Sequence, residues 1–153
     1  MDTKYNSAWD TSEHIQQVQN AIQFMLVNLR RRSVVHDQSK MSEPEKPIFD
    51  EVSPKLQILE YGSDEYKAAL EGMGEALQHH YSVNSHHPEH YENGIDGMSL
   101  LDLVEMFADW YAAGKRMNDG SMTNSIDVGS KRFGMSEQLK SIFLNTAVEM
   151  GWK

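Results

Sequence analysis

The seven histidines of this 153-residue chain fall in three places: His14, His36, and a cluster of His79, His80, His86, His87 and His90. There is no cysteine. Thiolate is therefore excluded as a ligand, and imidazole with carboxylate is the donor set that remains, one that suits Fe, Mn, Zn, Ni or Co. An acid follows His36 directly at Asp37, and Lys40 stands three residues further on. Two consecutive ligands can reach one ion only where the backbone curls round it. If this is a helical turn, Lys40 shares a face with Asp37. An ammonium there either binds a phosphate oxygen as a point charge or is an ordinary exposed lysine. The chemistry these residues suggest is a divalent cation held by nitrogen and oxygen.

Helices must position them. Residues 1–11 carry no period and read as an arm ahead of a single domain over 12–153. From Ser12, a good N-cap, apolar residues recur at Ile15, Val18, Ile22, Met25, Leu26 and Leu29, with His14 at the edge of that stripe and Arg30 to Arg32 closing it. Ser42-Glu43-Pro44-Glu45 reads as a capping box opening a short helix. From Ser63, the residues Tyr66, Leu70, Met73 and Leu77 share one face. Three further on, His80 points the same way, whereas His79 is rotated by about 100° and faces elsewhere. Residues 84–97 form a loop broken by Pro88, Gly94 and Gly97. Ser99 caps a helix that turns Leu103, Met106, Phe107 and Trp110 inward. Asp109 lies at the edge of that face, either as a ligand or as one of a solvated series with Asp102 and Glu105. Residues 118–130 are rich in Gly, Ser, Asn and Asp and read as a long loop. A last helix from Ser136 turns Leu139, Ile142, Phe143, Ala147 and Met150 inward. No alternating strand pattern is present, so the expected fold class is all-α.

Net charge is −9, from 14 basic and 23 acidic residues. That argues against general nucleic-acid binding, which needs a basic face. A small phosphorylated substrate is still allowed, because a bound cation reverses the local field. The N-terminus has no signal-peptide pattern and no apolar run approaches the roughly 18 residues of a membrane span. A cytoplasmic protein without membrane contact is expected, and a homo-oligomer is left open. Among the clustered histidines, His80, His86 and His87 are the metal candidates, with Asn84 able to orient one of them. His90 is either substrate-facing or merely exposed. Asn84, Arg116, Lys131 and Arg132 are further candidate substrate contacts, the last two at the end of the 118–130 segment.

Taken in order, His14, His36-Asp37 with Lys40, and Asp109 resemble the HD superfamily of metal-dependent phosphohydrolases. His36-Asp37-Gln38-Ser39-Lys40 is similar to the His-Asp-x-x-Lys segment of one subgroup. His86-His87 and Ile95-Asp96-Gly97 are similar to that subgroup's later His-His and Asp-Gly turn, and Ala108 to Ala113 to its closing helix. The set His-Asp-x-Ser-Lys, His-x-x-x-Asn-x-His-His and Glu-Met-x-x-Asp-Trp also resembles a family of uncharacterised, often phage-encoded proteins.

The superfamily resemblance implies a compact HD-like bundle of roughly five to seven helices and one or two divalent ions. His36, Asp37 and Asp109, with His14, would hold the first ion. His80, His86 and His87 would hold a second, with Asp37 bridging. A metal-bound water would then attack a nucleotide or other small phosphoester polarised by the ions and Lys40. On one continuous helix His14 and His36 would stand about 33 Å apart, so sharing an ion requires the chain to turn back near Arg30 to Ser33. Two other readings use the same residues differently. One is a di-iron oxygenase with Tyr5, Tyr61 or Tyr81 covering the site. The other is a non-catalytic acidic protein of phage type that binds a host partner.

Overall fold

Four of the helices begin at a serine whose hydroxyl accepts a backbone N–H three residues on: Ser63 from Tyr66, Ser99 from Asp102, Ser121 from Asn124 and Ser136 from Leu139. Each serine satisfies one of the donors that a helix start leaves orphaned. The computed structural model describes residues 6–60, 62–116 and 120–152. Among these are seven α-helices and no strand: α1 Ala8–Val35, α2 Glu45–Leu56, α3 Asp64–Glu71, α4 Gly74–Val83, α5 Leu100–Gly114, α6 Met122–Phe133 and α7 Glu137–Glu149. The fold is all-α, as the periodicity indicates. No helix among the described residues is long and apolar enough to cross a membrane.

The chain divides into two compact units, Met1–Val35 and His36–Lys153. The first is essentially α1, a helix of 28 residues with none of them buried. It starts ahead of the expected cap: Asn6 Oδ1 accepts from the Ala8 N–H, and Ser12 Oγ donates back to Ala8 O within the helix. The expected turn near Arg30 to Ser33 is absent, because α1 continues to Val35. At 1.5 Å per residue, His14 and Val35 are about 32 Å apart along it. His36 is bonded to Val35, so the turn that would let His14 and His36 of one chain share an ion is not made.

The core of the second unit lies among α5, α6 and α7, where Met106, Phe107, Trp110, Met122, Ile126, Met135, Phe143 and Ala147 cluster. Here the expected loop at 118–130 is corrected. Residues 118 and 119 lie outside the described residues, but 122–133 is a helix. Its buried positions, Met122, Ser125, Ile126, Gly129 and Ser130, follow helical spacing. The small residues that suggested a loop are the ones that let α6 approach α5. A Cβ built on Gly129 would collide with the Trp110 ring, which itself packs on Phe133 and Phe143. On α7, Phe143 and Ala147 are buried while Ile142 and Met150 are exposed, contrary to expectation. The single helix expected from Ser63 to His80 is two, α3 and α4, parted around Gly74, whose φ of +50° lies in the left-handed region glycine favours. His80 still faces inward, 1% exposed.

The Gly129–Trp110 contact sets a test of this packing. Gly129→Ala is expected to cost about 1–3 kcal/mol through overpacking, lowering Tm by roughly 5 °C in thermal denaturation. An unchanged Tm would show that α6 does not sit this close to α5.

Candidate metal centre

Asp37 is the residue round which the centre is built. It is the one described non-glycine residue with positive φ, at 57°, in the bend before the 3₁₀ turn Gln38–Met41. Aspartate tolerates this left-handed conformation better than most residues, though at some cost. The bend supplies the curl that a consecutive His-Asp pair needs. It brings His36 Nε2 to 3.7 Å from Asp37 Oδ2.

Two elements deliver the remaining donors. The buried stripe of α4 ends at His80, and the segment after it returns His86 and His87. His80 Nε2 lies 3.4 Å and His86 Nε2 3.5 Å from Asp37 Oδ1, and His80 Nε2 is 2.9 Å from His87 Nε2. Asp37, His80, His86 and His87 each offer one ligand atom, and these four atoms lie within 4.8 Å of one another. On the other side, α5 carries Asp109, whose Oδ1 is 3.6 Å from His36 Nε2. His36, Asp37 and Asp109 form a second such group, so Asp37 belongs to both.

Two glutamates that the sequence reading did not assign to the site hold these rings from behind. Glu45, at the start of α2, is fully buried. Its Oε2 accepts from His80 Nδ1 at 2.9 Å and from Ser39 Oγ at 3.0 Å, and its Oε1 from His79 Nδ1 at 2.7 Å. The expected capping box at Ser42 to Glu45 is therefore not formed; the N-cap Pro44 has no side-chain bond and the carboxylate is drawn to the histidines. Glu105, on α5, accepts from His36 Nδ1 at 2.9 Å and lies 3.3 Å from His86 Nδ1. Carboxylates in this position fix the ring orientation, put the proton on Nδ1 and leave Nε2 as the donor to a metal. His36, His86 and Glu105 also converge closely enough to form a third ligand group. The hydrogen bond at His36 Nδ1 favours an orienting role for Glu105. Asn84 acts in the same layer, spending both amide hydrogens on Ser39 Oγ and His80 O, each at 2.8 Å.

The solvated acid series is also revised. Asp102 is buried, closes a capping box with Ser99 and accepts from Ser85 Oγ. Glu105 orients histidines, and Asp109 faces His36. None of the three is simply a solvated acid.

The electrostatics favour a cation. Asp37 Oδ1 and His86 Nε2 are buried with no hydrogen-bond partner, and they face each other. Unsatisfied buried polar atoms are rare and call for an explanation; a metal ion between them supplies one. Burial pushes the Asp37 carboxyl up, but the ammonium of Lys40, then His36 and His80, bring it below the usual carboxylate range. Burial pushes both His80 and His87 down, keeping these imidazoles neutral and able to donate a lone pair. His36 goes the other way, raised to about 10, first by Asp109, then by Glu105 and the charge of Asp37, against the effect of burial. Without a metal, a proton on His36 neutralises the acids around it.

The other expected site residues are placed as follows. Lys40 Nζ donates to Asp37 Oδ2 at 2.6 Å and lies over the Phe49 ring. Arg132 donates to Glu89 Oε1 at 2.6 Å and to Tyr81 OH at 3.0 Å, while Lys131 beside it is exposed. His90 is exposed, its Nδ1 donating to Tyr81 O, and Arg116 is exposed just past α5. His90 belongs to no ligand group among the described residues. Tyr81 stands against His87, with ring centroids 5.0 Å apart. Tyr5 and Tyr61 lie outside the described residues. His14 is exposed on α1.

The model of a family of unknown function (DUF5662) matches residues 3–149, and the chain belongs to that family. Neither the curated proteins nor the solved structures contain a match to it.

Two expectations follow from this geometry. Glu45→Ala removes the acceptor of His80 Nδ1 and is expected to weaken metal binding about 10–100-fold in a metal titration, with Glu45→Gln intermediate; wild-type affinity in both would remove Glu45 from the centre. The proton on His36 must leave when a metal takes Nε2, so affinity is expected to rise with pH below about 10. Calorimetry in buffers of different ionisation enthalpy should show release of roughly one proton per chain near neutral pH. Binding with no proton release would place the ion away from His36.

Proposed function

We propose that this protein is a metal-dependent phosphohydrolase acting on a small phosphoester, with Asp37 shared between two ligand groups. The observation that carries the reading is the pair of buried, unpartnered atoms, Asp37 Oδ1 and His86 Nε2, at the point where those donors converge. The donor set is nitrogen and oxygen without sulfur, which suits Fe, Mn, Zn, Ni or Co. A divalent ion held by these residues would lower the pKa of a coordinated water towards neutrality and would polarise a phosphoryl oxygen.

The protein's own residues do the rest. Glu45 and Glu105 orient His80 and His36 by hydrogen bonds, and Glu105 also lies beside His86. The nitrogen-rich group contains His80 and His86, each 2% exposed at the side chain. The oxygen-rich group, His36, Asp37 and Asp109, is open, at 27%, 23% and 26%. Buried ligands suit permanent retention of an ion; the open side is where a substrate can approach. Lys40, 31% exposed, keeps its ammonium at that open side beside Asp37, where it can meet a phosphoryl oxygen.

Purified protein loaded separately with each candidate ion should hydrolyse members of a panel of nucleotides and simple phosphomonoesters. Asp37→Ala is expected to abolish turnover together with metal binding. Lys40→Ala should lower kcat about 100-fold while metal content stays at the wild-type level. Metal-loaded protein that turns over no phosphoester, or full activity in Asp37→Ala, would overturn the reading. An oxygen-dependent optical change after anaerobic iron loading would favour the oxygenase instead.

A further inference from the structure

Helices α3, α4 and α6 border a cavity of about 610 Å³ whose lining includes Tyr66, Leu70, Leu77, Tyr81 and Val128. These five are half-buried, and they give the cavity an apolar, partly aromatic wall. The volume falls within the roughly 300–1,000 Å³ of sites that enclose a small organic molecule. Gly62 shapes one side: its backbone passes so close to Val128 that a Cβ there would meet Cγ1 at 2.9 Å.

The exposed residues at the mouth are mainly basic. Lys67, Lys131 and Arg132 stand there against one acid, Glu71, in a chain whose net charge is −9. Arg132 is engaged by Glu89 and Tyr81. Lys67 pairs with Asp64 at 3.2 Å, with side chains 62% and 97% exposed, and so exposed a pair is weak and easily exchanged. Lys131 forms no ion pair among the described residues, although its charge acts on Asp127, which is itself paired with Lys140. An apolar slot edged by two available ammonium groups matches a molecule with a ring-bearing body and a compact anion at one end.

We propose that this cavity is a binding site for a ring-bearing phosphomonoester, its body against Tyr66, Leu70, Leu77 and Val128 and its phosphate on Lys67 and Lys131. The site is distinct from the metal centre: none of the ligand candidates lines the cavity, and Tyr81, which does, meets His87 with ring centroids 5.0 Å apart. It therefore needs no metal and does not rest on the hydrolytic reading.

Calorimetric titration of metal-free protein, kept in chelator, with adenosine 5′-monophosphate, adenosine and inorganic phosphate tests it. The monophosphate should bind at least about tenfold more tightly than either fragment, since only it uses both halves of the site. Lys67→Glu with Lys131→Glu, both exposed positions, should bring the monophosphate down to the level of adenosine. Leu70→Trp should fill the slot and remove binding of both. Monophosphate binding no tighter than inorganic phosphate, or unaffected by the lysine pair, would overturn the proposal. Loss of metal-dependent turnover with these affinities intact would count against the hydrolase alone.

Discussion

Asp37 Oδ1 is buried, lies within 3.5 Å of two imidazole nitrogens and receives no hydrogen bond. Leaving such an atom unsatisfied costs about 1–3 kcal/mol, and more for a charged group. The surroundings do not relieve that cost with a donor. They place ring nitrogens opposite it: Glu45 accepts from the far nitrogen of His80, and Glu105 lies 3.3 Å from the far nitrogen of His86. Ligand atoms gathered in one place, with carboxylates behind the rings that carry them, are what a cation site requires. The left-handed backbone at Asp37 belongs to the same constraint, since strain of this kind persists where surrounding contacts overdetermine it.

The elements of the second unit read as the means of meeting that constraint. The 38–41 turn carries Ser39 to Glu45, and α2 presents Glu45 to α4. The buried stripe of α4 ends at His80, the helix closes one turn later at Val83, and the segment that follows brings His86 and His87 back to the same point. Helix α5 contributes Glu105 and Asp109, four residues apart and thus on one face. Its opposite face, through Met106, Phe107 and Trp110, anchors it in the core with α6 and α7. Rigid packing on one side of α5 fixes the carboxylates on the other.

Much of this could be read from the sequence, and the failures have physical reasons. Helical periodicity placed His80 inside, because a stripe of four apolar residues leads to it. The spacing of His36-Asp37, His86-His87 and Asp109 singled out donors that do converge. Glu45 was missed because its local context, a serine three residues earlier, has a complete explanation as a helix cap; only the fold shows the carboxylate turned to His79 and His80. Glu105 had a visible signal, four residues before Asp109, but an acid on a helix edge is usually solvated. Helix α6 was hidden by composition: glycine and serine mark loops, and they also mark a helix pressed against a tryptophan. His14 fell to a question of helix length, which a periodic pattern running through Leu29 and arginines at 30–32 could not decide.

Counting ions tests most directly whether the donors round Asp37 hold a cation. Protein purified without chelator, then loaded and desalted, should carry one or two divalent ions per chain by elemental analysis. The double variant Asp37→Ala, His86→Ala should carry none while retaining its helical circular dichroism. Wild-type protein that holds no ion after loading, or a double variant that holds as many, would contradict it.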